Sequence, residues 1–409
     1  MATTLLISDL HLGGRLKNDV LRAPKPREAL KERLAEADRV ILLGDVMEFR
    51  HSPQRDALRQ GLPILSDLAT ALRKGTEVVI VPGNHDWSLL EGWNARRAAM
   101  EDGPPAMKLD EVIGAAEASE AASAIEGAMK RPVELRYPGL WVEDGIYATH
   151  GHYLDVHALL PTVERLGAGA LQRLSGEMVP LAARPADYER VLAPWYAFIG
   201  ASVERLSASA STRRATSSAR AYDRLRSKSP RAQAFMVGLK AGVAALNVTG
   251  LGPLSAELSG QAMIASAMHA IDEVDARLNI GADHLIFGHC HRPGPLPSDD
   301  ADAWLTRVGT RLWNTGNWVY EPRFQTPSKI DSAYWPGTAV VTDGSGVPQT
   351  ERILTEMPST DLLGDHGDLT SPVRLDPVED ESPAEFRAEP ELGGGGEPAT
   401  GLPEPERLG

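Results

Sequence analysis

The sequence predicts an α/β fold with α+β character, and three observations carry that expectation. Apolar runs alternate with stretches of helical spacing over the first 86 residues. Each run ends in a loop bearing Asp, His or Asn. Strand character then returns late in the chain, after a long helical interval.

Thr3 to Ile7 is the first expected strand, and Ser8-Asp9-Leu10-His11 follows it directly. An Asp and a His two positions apart at a strand end can both reach one cation. Helical spacing between Arg27 and Ala37 leads to a second strand, Val40 to Leu43, which ends in Gly44-Asp45-Val46-Met47-Glu48. Leu58 to Lys74 is again helical in spacing and is closed by Gly75. Val78 to Val81, an unbroken β-branched run, suits a strand covered on both faces. Pro82 and Gly83 stop it, so Asn84, His85 and Asp86 project from its carboxyl end, where open α/β sheets place their ligands.

Helical periodicity is expected from about Leu109 to Met129, then short strands at Val133 to Arg136, Leu140 to Val142 and Ile146 to Thr149. The last of these delivers His150-Gly151-His152. A long, mostly helical stretch reads as an insertion, and His284 to Phe287 then leads into Gly288-His289-Cys290-His291-Arg292-Pro293. Trp313 to Trp318 and Thr338 to Thr342 add further strand and turn material. The domain reading is a discontinuous core, residues 1–154 and 279–350, a helical insertion or cap, 155–278, and an acidic disordered tail, 351–409.

Composition supports that division. Of the formal charge of −14, most belongs to the tail, where 15 Asp or Glu face 4 Arg from Glu351 onward. Pro, Glu and four consecutive glycines there predict disorder, so removing the chain after about Thr355 is expected to leave folding nearly unchanged. Cys290 is the single cysteine, which excludes an internal disulfide. The amino terminus does not read as a secretory signal, and the apolar stretch Ala234 to Leu254 is interrupted by Lys240, Asn247 and glycines. The expected location is cytoplasmic.

Taken together, the ordered blocks Asp9-Leu10-His11, Gly44-Asp45-Val46-Met47-Glu48, Gly83-Asn84-His85-Asp86, His150-Gly151-His152 and Gly288-His289-Cys290-His291 resemble those of the calcineurin-like metallophosphoesterase superfamily. The resemblance implies a four-layer sandwich of two mixed β-sheets flanked by helices. It also implies two metal sites, one held by Asp9, His11, Asp45 and His291, the other by Asp45, Asn84, His150 and His289, with Asp45 shared. Mixed imidazole and oxygen ligation suits two divalent transition-metal ions, manganese first, with iron or zinc as alternatives. Such a pair attracts phosphate and activates water to attack phosphorus. His85 is placed outside the metal shell, stabilising the transition state or protonating the leaving oxygen, with Asp86 to orient it. Glu48 and His152 are candidates for supporting positions, and Cys290 reads as a small filler. His51, His157, His269, His284 and His366 are expected to be ordinary hydrogen-bonded histidines.

The reaction class implied is hydrolysis of a phosphomonoester, phosphodiester or pyrophosphate. Gly44 to Phe49, Arg292-Pro293 and Asn314-Thr315-Gly316-Asn317-Trp318 look like the UDP-2,3-diacylglucosamine diphosphatase branch, which splits a lipid-linked pyrophosphate. That branch usually has arginine where this chain has His85. A nuclease or cyclic-nucleotide phosphodiesterase needs the same ligands, and a non-catalytic scaffold of the same fold is the alternative from another class. The expected partners are a phosphorylated small-molecule or lipid substrate and, through the basic run Arg213 to Arg231, the surface of an anionic membrane. Tyr222 is the only aromatic in that run, which argues against nucleic acid. Oligomeric state is left open.

Overall fold

The computed structural model describes residues 2–159, 165–166, 169, 172, 176, 178–207, 260–321 and 332–364. All of them lie in one compact unit, Met1–Thr370. The basic run, the apolar stretch after it, and everything beyond residue 364, His366 included, lie outside the described residues. Among the described residues no helix is long and apolar enough to cross a membrane.

The expected alternation is present. Strand β1 (Thr4–Ile7) leads to α1 (Pro24–Leu34), β2 (Arg39–Leu42), α2 (Gln54–Ala69) and β3 (Glu77–Ile80). The three strands are parallel and in register. Their side chains alternate between two cores. Leu5, Ile7, Val40, Leu42, Val78 and Ile80 face the helices, whereas Leu6, Ile41, Leu43, Val79 and Val81 face an inner cluster. Burial on both faces is why these strands read as unbroken apolar runs.

Two expectations change between residues 109 and 143. Asp110–Gly114 forms a strand, β4, ahead of the short helices α3 (Ala115–Ala118) and α4 (Glu120–Met129), where helix alone was expected. Val112 is exposed and Ile113 buried, an alternation too short to outweigh the Ala- and Glu-rich sequence after it. The two separate strands expected before residue 143 are one, β5 (Glu134–Glu143). Its first half pairs with β3 and β4, its second half with β6 (Ile146–Thr149). Pro138 made it read as two because proline cannot donate to a ladder.

This shared strand shapes the molecule. Strands β6, β7 (His284–Phe287) and β8 (Arg311–Asn314) are parallel to one another, but β6 is antiparallel to β5, while β3 is parallel to it. In a flat sheet the carboxyl ends of the two triplets would therefore lie at opposite edges. Yet His150, just after β6, stands 3.3 Å from Asp45, just after β2. The sheet turns back on itself along β5, and Ala148 and Ile286 join Leu6, Ile41 and Val79 in the inner cluster. Nine strands follow one path, with β9 (Thr338–Thr342) and then β10 (Gln349–Arg352) beyond β1 at one end and β8 at the other, and β4 pairs with β5 off that path as the tenth.

Between β6 and β7 the described residues include two long helices, α5 (Pro185–Ser207) and α6 (Gly260–Leu278), packed on the outer face of β6 and β7. The tail boundary needs correction. Glu351 lies in β10, Leu354 and Leu362 are fully buried against the first core, and a short helix α7 (Ser359–Leu363) packs near α1. The acidic composition around them masked these isolated apolar anchors.

Truncation after Thr355 should therefore lower the melting temperature, because it removes Leu362 and α7. Leu362→Ala alone should cost about 2–4 kcal/mol in urea unfolding, the range for a fully buried leucine. An unchanged denaturation midpoint in both variants would return this segment to the tail.

Candidate metal centre

The loops after β1, β2, β3, β6 and β7 converge at one place. Two of them run side by side, with Asp9 N donating to Gly44 O (3.0 Å), His11 N to Asp45 O (2.8 Å) and Leu12 N to Val46 O (2.9 Å). Of the eight non-glycine residues with left-handed backbone among the described residues, five are Asp9, His11, Asp45, His289 and His291. Each such residue costs on the order of 1–3 kcal/mol. The conformation turns the chain sharply after each strand and aims both ligand side chains of a block inward. Gly44 and Gly83 make room, since a Cβ at either would collide with the His150 ring, and at Gly83 also with Asp45.

All seven residues expected to hold metal are brought together. Asp9, His11 and His291 form one group able to hold an ion, and Asp45, His150 and His289 another. Asp45 lies between them, its Oδ2 3.7 Å from His11 Nε2 and 3.3 Å from His150 Nε2. His291 Nε2 is 3.2 Å from Asp9 Oδ1. Asn84 Oδ1 is 3.3 Å from His150 Nε2 and 3.2 Å from His289 Nδ1.

The rings are held from behind. His11 Nδ1 is 3.0 Å from Glu48 Oε2, His150 Nδ1 2.9 Å from Leu43 O, and His289 Nε2 2.9 Å from Asp155 Oδ1. The nitrogen left on each ring points inward, the arrangement that fixes the tautomer of a metal ligand. Asp155 and Ser8, whose hydroxyl bonds Asp9 and lies 2.6 Å from Thr315 Oγ1, carry no signal in the sequence that would have found them.

Two observations test whether these residues fit cations. Asp9 Oδ1 is buried and makes no aligned hydrogen bond among the described residues, with only the His291 ring nitrogen close by at 3.2 Å. Asn84 Oδ1 faces only acceptors, namely Asp45, His150 and His289. Turning that amide over would satisfy it without an ion, donating to the same three groups and accepting from Arg50 (3.1 Å). Oxygen inward suits a cation and nitrogen inward suits its absence; the donor set fits divalent metal ions in the first case.

The assignment of Asp86 changes. Asp86 does not reach His85; its carboxylate accepts from Gly83 N (2.6 Å), Val46 N (2.7 Å) and Met47 N (3.3 Å), clamping the β2 loop to the β3 loop. Burial and the charge of Asp45 push it up to about 7. Glu48 orients His85 instead, both its oxygens lying 2.9 Å from His85 Nδ1. Glu48 also accepts from the backbone of Arg50 and His51 and lies 3.2 Å from His51 Nδ1, so His51 belongs to this cluster and is not an ordinary surface histidine. His157 and His284 do have the ordinary partners expected, Tyr188 and Trp313. His152 is buried and held well below its usual value, first by burial and then by His150. Cys290 accepts from Asn314 Nδ2 at 3.2 Å and is pushed up to about 11 by burial, so it is no thiolate.

The charges show what the pocket requires. Burial opposes ionisation of Asp9, yet His291 and its neighbours hold it at about 2, and Asp45 and Glu48 are likewise held well below the carboxylate range by surrounding histidines. Burial would lower His11 and His150, but the carboxylates overcome it and lift them from 6.5 to about 9 and about 10. Buried carboxylates thus draw positive charge, supplied by protons when no cation is present.

The chain matches no protein-family model and no curated protein. Among solved structures it is similar to a dimetal phosphatase from Danio rerio, at 12% identity and a TM-score of 0.29 over 85% of this chain and 98% of that one. That superposition is too loose to carry residues across.

A pH dependence follows with a definite sign. In chelator-treated protein, stabilisation by His11 and His150 is fully present below 6.5 and is lost as pH rises through about 9 and 10. Thermal unfolding should show a falling melting temperature between pH 7 and 10. Cations compete with the same protons, so Mn affinity should rise over that window; a Mn titration giving pH-independent affinity would contradict the assignment of these histidines.

Proposed function

We propose that this chain is a dinuclear metal-dependent hydrolase of phosphoric esters. The observation that carries the reading is the convergence, from five loops, of Asp9, His11 and His291 in one group and Asp45, His150 and His289 in another, with Asp45 Oδ2 within 3.7 Å of His11 Nε2 and 3.3 Å of His150 Nε2. One site would be held by Asp9, His11, Asp45 and His291, the other by Asp45, Asn84, His150 and His289, with manganese the first candidate and iron or zinc next. Bound there, divalent cations would neutralise phosphoryl oxygens and lower the pKa of water. The sheet turning back along β5, with cores inside and outside it, supports the sandwich arrangement as the finer description of the fold.

His85 is set apart from the ligands by its second nitrogen. Glu48 holds Nδ1, which leaves Nε2 to meet substrate. Burial, joined by the charge of His11, outweighs Glu48 and Asp45 and holds His85 at about 4. It is therefore neutral at pH 7 until a phosphate dianion beside it supplies negative charge, and a proton then gained can pass from Nε2 to the leaving oxygen. The lipid pyrophosphate reading is a narrower version of this proposal; His85 in place of arginine favours simpler esters.

His85→Ala should retain both metals while lowering turnover by roughly 100-fold to 10,000-fold, the range for a lost acid catalyst. The loss should be far larger on alkyl phosphates than on nitrophenyl phosphates, whose leaving groups need little protonation. Asp45→Ala should lose metal and activity together. Metal loss from the His85 variant would sink its assignment, and a wild-type protein holding one metal ion or none in excess Mn would sink the dinuclear reading.

A further inference from the structure

Beside His85 lies a cavity of about 350 Å³ whose far wall belongs to helix α5. Asn84, His85 and Trp87 form the near side, and Tyr196, Ile199 and Gly200 face them from the helix. Glu189 sits seven residues before Tyr196, two turns back on the same face of that helix. Its Oε1 accepts from Tyr137 Oη (2.5 Å) and Tyr153 Oη (2.7 Å), and its Oε2 from Trp87 Nε1 (3.3 Å).

Those three donors come from elements that carry the site. Trp87 follows Asn84-His85-Asp86 directly, Tyr153 lies three residues after His150, and Tyr137 is on β5 with its hydroxyl 3.0 Å from His152 Nε2. Stability alone does not explain a carboxylate there. Burial pushes Glu189 upward against its three donors, and well-packed apolar residues serve such a position at lower cost. A fork of hydrogen bonds does what apolar packing does not, since it fixes the rotation and the height of the helix.

We propose that Glu189 is a positioning residue that sets the cavity wall against the metal loops and so selects the organic group of the ester. This rests on the phosphoesterase reading and deepens it. Phe49, Trp87, Tyr196 and Ile199 give the lining an apolar, aromatic side, while Arg50, Gln54 and Glu91 line it elsewhere, so the group selected is a bulky, flat or hydrocarbon leaving group lying against Trp87 and Tyr196, whose rings are 6.2 Å apart.

The test compares 1-naphthyl phosphate, which would use the wall, with methyl phosphate, which would not. Glu189→Leu should raise KM for naphthyl phosphate roughly tenfold while leaving kcat, KM for methyl phosphate and Mn content unchanged. Glu189→Gln keeps an acceptor at the same place and should stay within about threefold of the parent protein. Unaltered discrimination between the two esters in Glu189→Leu would overturn the proposal, as would equal loss on both esters or loss of Mn. Should Glu189→Leu fail to fold, Glu189→Gln combined with Tyr153→Phe removes most of the fork and carries the same comparison. Hydrogen exchange over Pro185–Ser207 reads the contact without catalysis. Faster exchange of that helix in the variant supports the fork, and unchanged exchange overturns it. A parent protein that hydrolyses neither ester, yet shows this exchange difference, would reject the phosphoesterase reading while leaving the fork in place.

Discussion

Two carboxylates, Asp9 and Asp45, are buried where the five loops converge, and little else in the site makes sense until their charge is met. An isolated carboxylate in such surroundings would give up its charge. These are instead held below their ordinary range by histidines arriving from three other loops. The same constraint explains the fold's least regular feature. Only a sheet that turns back along β5 can bring loops from both parallel triplets to one point, so the shared strand is a requirement of the site as much as of the core.

Bringing five loops together has a conformational cost. Five candidate ligand residues are held in the left-handed region, and at on the order of 1–3 kcal/mol each the strain is comparable to the net stability of a typical domain. It persists because each loop is tied to another by backbone hydrogen bonds, as Asp9 is to Gly44 and to Trp318, and Gly288 to His150. Asp86 belongs to this scaffolding. By accepting from three backbone amides it fixes the spacing between the loop of Asp45 and the loop of Asn84.

The parts of the site that were legible in the sequence are those written in short range. Asp9 and His11, or His289 and His291, are two residues apart at a strand end, so one local geometry places both. The alternating strands announced themselves because burial on both faces demands continuous apolar runs. Long-range pairings left no such trace. Adjacency in sequence suggests Asp86 as the partner of His85, whereas a sharp turn points neighbouring side chains apart and lets Glu48, from another loop, fill the role. Asp155 and Glu189, in the helical stretch after β6, leave no trace for the same reason. Leu354 and Leu362 were hidden by composition, since two apolar anchors do not register against an acidic background.

Glu48 is the step at which these separate facts join. It lies against Nδ1 of His11 and Nδ1 of His85 at once, so one carboxylate turns Nε2 of the first toward Asp45 and leaves Nε2 of the second for the cavity side. The two rings meet edge to face with centroids 4.5 Å apart, close enough for charge on one to be felt by the other. When His11 carries a proton it depresses His85, which is part of why His85 is held at about 4. On the proposed reading, a cation held by His11 in place of that proton would exert the same influence. Glu48 thereby ties the charge of His85 to that of His11, although it stands in neither of the two groups that hold Asp9 and Asp45.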